Sequence, residues 1–229
     1  MRRLGWIPAA TLLLCTSLPA HADYQDGLVA HHNGEFAEAR SEFEAVAETD
    51  PRAAVALGIM AARGDGMDQD MSEAAVWFGR AAEAGDANGQ YHLARLHYAG
   101  KGVAQDKARA VELFGLSAEQ SHVGATQALS LILENGDGVP ADAKRAFELA
   151  LANAEAGVPR DQLRTARMLA EGQGIEADPG RAYFYAALAA RTGLADAFAV
   201  EETYAAKLTE TQLAEQKQNL LEWRPTGQK

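Results

Sequence analysis

Four glycine pairs constrain what this chain can fold into. Gly64-Asp65-Gly66, Gly100-Lys101-Gly102, Gly136-Asp137-Gly138 and Gly172-Gln173-Gly174 stand 36 residues apart without drift. Matched positions agree around each pair. An apolar residue follows the second glycine (Met67, Val103, Val139, Ile175), and an Asp stands six beyond the first (Asp70, Asp106, Asp142, Asp178). Ten beyond is Ala (Ala74, Ala110, Ala146, Ala182), and thirteen beyond a large apolar residue (Trp77, Leu113, Leu149, Tyr185). Several columns coinciding at one period identify a repeat protein, in which one supersecondary unit buries its apolar face against copies of itself.

Each unit reads as helix A, a Gly-x-Gly loop and helix B. Helix A of the first unit is expected from near Ala53 to Arg63, with Leu57 and Met60 facing inward. Gly64 then takes the left-handed position just past a helix end, which penalises any side chain, and the second glycine lets the chain turn back. Asp70 and its three counterparts stand where a helix N-cap belongs, accepting otherwise unpaired amide hydrogens. Asp178-Pro179 fits the same reading, since Pro at the first helical position gives up no hydrogen bond. Small residues fill two further columns, Gly58, Ala94, Ser130 and Ala166 in one, Ala82, Ala118, Ala154 and Ala190 in the other. They permit close helix approach. A row of four Asp also invites a calcium reading, but capping accounts for all four, so no metal is expected.

These columns resemble the Sel1-like repeat, a relative of the tetratricopeptide repeat. The stretch from Ala53 to Gly85 fits best, with Leu57-Gly58, Gly64, Gly66, Asp70, Ala74, Trp77, Ala81-Ala82 and Gly85. The second unit matches through Leu93, Gly100, Gly102, Val103, Asp106, Ala110 and Ala118, whereas the fourth has Thr165 where a Leu belongs. The resemblance implies an all-α, right-handed α-solenoid of helix-turn-helix repeats. Four units are expected over 53–193 (53–88, 89–124, 125–160 and 161–193). Residues 23–52 resemble one tetratricopeptide-type hairpin, with Gly27, Ala30, Ala39, Phe43 and Pro51 at that family's small, aromatic and terminal positions. Asp50-Pro51 is read as ending its second helix.

Residues 1–22 read as a signal peptide: Arg2-Arg3, a largely apolar run, then Ala20-His21-Ala22 as an A-x-A cleavage site. The run contains Pro8 and is short for a membrane span. Leu14 before the only cysteine, Cys15, argues against lipidation. Cleavage after Ala22 would leave a periplasmic or secreted chain with no cysteine, no membrane span, and 19 basic against 32 acidic residues. That acidity disfavours nucleic acid as a partner.

Residues 194–229 are expected to cap the array. Ala195 to Lys207 reads as a degenerate helix A, and Thr209-x-x-Gln212 as a capping box opening a last helix. Trp223 is expected to pack onto the last repeat, and Pro225 to Lys229 to fray.

No arrangement of catalytic residues stands out. H-E-x-x-H, G-x-S-x-G and S-x-x-K motifs are absent, and the glycine pairs lack the third glycine of a dinucleotide loop. His31-His32 point about 100° apart on a helix and read as exposed hairpin residues. Neither enzyme activity nor a cofactor is expected. What remains is a surface. In tetratricopeptide-like solenoids the A helices line a concave face, and that resemblance places Tyr24, Arg52, Arg63, Tyr91, Arg95, Tyr98, Gln127, Arg160 and Arg167 on it. Of 24 such positions five are basic and two acidic, the reverse of the chain's balance. Arginines of this kind pair with carboxylates. The expected function is a non-catalytic, exported adaptor, scaffold or regulator in a cell-envelope complex, binding an acidic segment of another envelope protein. Binding of an acidic polysaccharide, its sugars stacked on the tyrosines, is the alternative, and a hydrolase the remote third.

Overall fold

The computed structural model describes residues 23–226, and among them places twelve α-helices and no strand. The predicted signal peptide, residues 1–22, and residues 227–229 lie outside the described part. A hairpin of α1 (Tyr24–Asn33) and α2 (Phe36–Val46) leads into four helix pairs. These are α3 (Pro51–Arg63) with α4 (Met71–Glu83), α5 (Ala87–Ala99) with α6 (Lys107–Glu119), α7 (Val123–Asn135) with α8 (Ala143–Glu155), and α9 (Pro159–Glu171) with α10 (Pro179–Arg191). Helices α11 (Ala195–Ala205) and α12 (Glu210–Glu222) follow. Helices α1 to α11 pack chiefly on their sequence neighbours, as a solenoid requires, while α12 folds back onto α10.

The periodic residues act as their local chemistry dictates. Gly64, Gly100, Gly136 and Gly172 are left-handed, with φ of 78°, 65°, 69° and 71°, and their N–H groups satisfy Met60, Leu96, Ile132 and Met168 carbonyls. Asp70 accepts from the amides of Ser72 and Glu73, while Asp106, Asp142 and Asp178 accept from those of Arg109, Arg145 and Arg181. Met67, Val103, Val139 and Ile175 close their loops onto the core.

The second glycine of each pair has a further task. A Cβ on Gly66 would overlap Phe36, on Gly102 the Met71 carbonyl, on Gly138 Lys107 and on Gly174 the Ala143 carbonyl. Those four residues are the first of α2, α4, α6 and α8. Each loop therefore rests directly on the start of helix B of the preceding unit, and that joint sets the stacking distance. Within units, Gly58 admits the Phe78 ring so closely that an added Cβ would lie 2.5 Å from it, and Gly27 repeats the arrangement with Phe43.

Four details depart from the sequence reading. The first helix A starts at Pro51, two residues earlier than expected, with Asp50 accepting from the Arg52 amide as its N-cap. Helix α2 already ends at Val46, so Asp50-Pro51 opens α3 instead of closing α2. His31 is half-buried, not exposed: its Nε2 lies 3.0 Å from Asp65 and its ring meets Phe36, joining hairpin to array. The tail does not fray at its start. Pro225 lies against Gly157, and the Thr226 amide donates to the Glu155 carbonyl at 2.8 Å. Trp223 packs against the same core, and Arg191 donates to the Leu220 carbonyl at 2.7 Å.

Candidate functional site

Helices α3, α5, α7, α9 and α11 contribute the walls of two adjoining pockets that share Leu131. The first, about 620 Å3, is formed by α3, α5 and α7 with the Gly100–Gly102 loop. Ile59, Leu96, Leu131 and Ile132 supply its aliphatic surface, and Phe78 and Phe114 reach in from helices B. Around it stand Arg63, Arg95 and Lys101, all exposed and without an ion-pair partner among the described residues. No Asp or Glu lines it.

Its floor is aromatic. His92 stacks on Phe78 with ring centroids 4.7 Å apart and planes 16° from parallel, and Tyr91 lies against His92, Phe114 and His122. Burial, with Arg95 and His122 nearby, pushes the His92 imidazole down to about 4, so it is neutral at physiological pH. Arg95 sits 5.5 Å over the Tyr91 ring. Tyr98 also lines the pocket, but its hydroxyl donates to Asp137 of the next loop, and Lys107 donates to the other oxygen of that carboxylate. The bonds from Lys107 and Tyr98 hold Asp137 below the usual carboxylate range.

The second pocket, about 580 Å3, lies between α7, α9 and the start of α11. Arg160 and Arg167 line it and are exposed. They share it with Glu171 and Asp196, and with Arg164, which bonds Glu134 across the groove. Its charges balance, so the positive character expected of the whole face is concentrated in the first pocket.

The structure thus brings Arg63, Tyr91, Arg95 and Tyr98 together and groups Arg160 with Arg167. Tyr24 and Arg52 line neither pocket; the Arg52 guanidinium sits 4.6 Å over the Tyr24 ring and bonds Asp50 at 2.5 Å. Gln127 faces inward and donates to the buried Asp161 carboxylate at 2.7 Å. Sequence reasoning did not single out Lys101, His92, Phe78 or Phe114. Their signal was present: Lys101 breaks a loop position that holds Asp65 and Asp137 in neighbouring units, and Phe78 and Phe114 lie one period apart.

Among the described residues no group of three or more His, Cys, Asp or Glu is placed to hold a metal ion, and no helix is long and apolar enough to cross a membrane.

Comparison with known proteins agrees with the repeat architecture. The Sel1 repeat family model matches residues 51–86, 87–122, 125–158 and 159–194. The crystal structure of a Sel1 repeat protein from Oxalobacter formigenes is similar, with a TM-score of 0.77 at 22% identity over 88% of this chain and 86% of that one. A Sel1 repeat protein structure from Klebsiella pneumoniae subsp. pneumoniae gives a TM-score of 0.50 at 23% identity over 80% of this chain and 91% of that one. Among curated proteins none matches the chain. With its four matched units covering more than half its length, the chain belongs to the Sel1 repeat family, whose repeats are in general non-catalytic protein–protein interaction modules.

Proposed function

We propose that this protein is an exported adaptor or scaffold of the cell envelope that holds an acidic segment of another envelope protein on its concave face. The observation carrying this is the first pocket: Arg63, Arg95 and Lys101 surround an apolar depression lined by no acidic residue, on a chain of net charge −11. Unpaired guanidinium groups favour carboxylates, which they can bind through two parallel hydrogen bonds. Export rests on the Arg2-Arg3 start, the apolar run and Ala20-His21-Ala22, and periplasmic or secreted localisation follows from it.

A partner protein is favoured over a polysaccharide by the tyrosines. Tyr91 is wedged among three protein rings and the Tyr98 hydroxyl is committed to Asp137, so neither is free in the way sugar stacking would need.

Site-specific photocrosslinking from Leu131 in intact cells, followed by mass spectrometry, tests the reading. The wild type should capture a defined envelope protein, and Arg63→Glu with Arg95→Glu should abolish capture while leaving helical content and melting unchanged. Capture that survives the double reversal would refute it.

A further inference from the structure

The first pocket is divided in its chemistry, with apolar and aromatic walls below and positive charge around the rim. Its room comes from two short side chains. Ala62 and Ala128 line it, where the residues one period away in their columns are the larger Tyr98 and His92. The volume falls within the roughly 300–1,000 Å3 typical of pockets that enclose a ligand group.

The position of Lys101 follows from the same registers. In the third unit, Asp137 of the loop reaches back to Tyr98 of the unit before. The residue one period before Tyr98 is Ala62, which has nothing to offer a polar partner. Lys101, in the second unit's loop, is exposed, makes no ion pair among the described residues and lines the pocket. Arg63 at the end of α3 and Arg95 on α5 complete a rim of three cations without an ion-pair partner among the described residues.

We infer that the pocket between α3, α5 and α7 anchors a single aromatic side chain, flanked by Asp or Glu, within an extended internal segment of the partner protein. This rests on the reading that the concave face holds an acidic segment. The Phe78, Tyr91, His92 and Phe114 rings offer edges and faces to a further ring, and the rim cations can lie over its face while pairing with neighbouring carboxylates. The segment is internal because the groove continues past Leu131 into the second pocket, so a bound chain passes through instead of ending. The balanced charges of that pocket make it a guide, with selection made at the first.

Fluorescence polarisation of the full chain with labelled, C-terminally amidated peptides tests this. The peptides are Gly-Gly-Asp-Glu-Phe-Glu-Asp-Gly-Gly and its counterpart with Ala for Phe. A third peptide ends at Phe with a free carboxylate. The Phe peptide should bind about tenfold or more tightly than the Ala peptide, as burial of a ring implies. Arg95→Glu and, independently, Lys101→Glu should each weaken it about tenfold, both being exposed positions whose melting should stay at the wild-type value. Equal affinity for the Phe and Ala peptides, both lost in Arg95→Glu, would overturn the anchor and leave the acidic-segment reading standing. Failure of every acidic peptide to bind, or binding untouched by either reversal, would overturn both. Preference for the free carboxylate over the internal peptide would show a chain end in the pocket and overturn the internal segment.

Discussion

The side-chain amide of Gln127 donates to the Asp161 carboxylate at 2.7 Å, across the joint between the third and fourth units, and Asn153 donates to the same oxygen at 2.9 Å. Asp161 is 2% exposed. Burial pushes its carboxyl up, and the two amides only partly counter it. A folded-state value above the unfolded one means a stability contribution that is full in acid and lost as pH rises through the folded value. Asp161→Asn keeps an oxygen for both amides and carries no charge. It should raise the melting temperature at pH 7, with the gain shrinking towards pH 4, as followed by circular dichroism. A lower melting point at pH 7 would mean the amide bonds to the charged form outweigh its desolvation.

His92 has the opposite linkage. Its folded value of about 4 lies below the ordinary 6.5, so the unfolded chain binds more protons between the two. Its contribution is complete above about pH 6.5 and declines as pH falls towards 4, amounting to about 3 kcal/mol over that window. Arg95, His122 and Arg63 press in the same direction, and Asp86 against it. His92→Phe, which keeps a ring beside Phe78, should flatten the stability profile between pH 6.5 and 4 in urea titrations. An unchanged slope would place the acid sensitivity elsewhere.

Glycines of this chain should respond to alanine in opposite ways. Gly79 and Gly115 lie inside α4 and α6 with open space where a Cβ would go, so Gly79→Ala and Gly115→Ala should each stabilise by about 0.5–1 kcal/mol. Gly102 is left-handed at φ 72° and abuts the Met71 backbone, so Gly102→Ala should cost at least about 2 kcal/mol. Denaturant midpoints distinguish the three. A neutral Gly102→Ala would mean the joint between units can loosen freely.

The tail should contribute to stability. Trp223 is half-buried against the last units, and Thr226 bonds Glu155. Trp223→Ala should cost about 1–3 kcal/mol, and hydrogen exchange should show weaker protection along α12 first. Loss confined to residues beyond Trp223 would show that α12 holds without it.

The architecture was legible because its signals are backbone requirements: a left-handed glycine and an Asp cap are set by residues within one turn. Registers also put Arg63, Arg95, Arg160 and Arg167 on one face of helices A, and these residues line the two pockets. They could not show that Gln127 turns inward, since its partner Asp161 lies 34 residues away. That partner had left a trace: its column reads Ala53, Gly89, Ala125, then Asp161, one charge among small buried residues. The aromatic floor escaped because Phe78 and Phe114 come from helices B and pass between helices A, beyond any reading of one helix face. Fraying was expected of the tail because its anchor, the Glu155 carbonyl, belongs to a distant helix end.

The glycine seated on the preceding helix start has an evolutionary corollary. A duplicated block of 36 residues carries both halves of that seat and can be spliced between existing units without any new fitting. A block one residue shorter or longer would swing its downstream residues about 100° around the helix axis and leave the seat empty. Such a chain can lengthen its gallery of binding pockets only in whole steps, each inherited ready-made and then free to diverge.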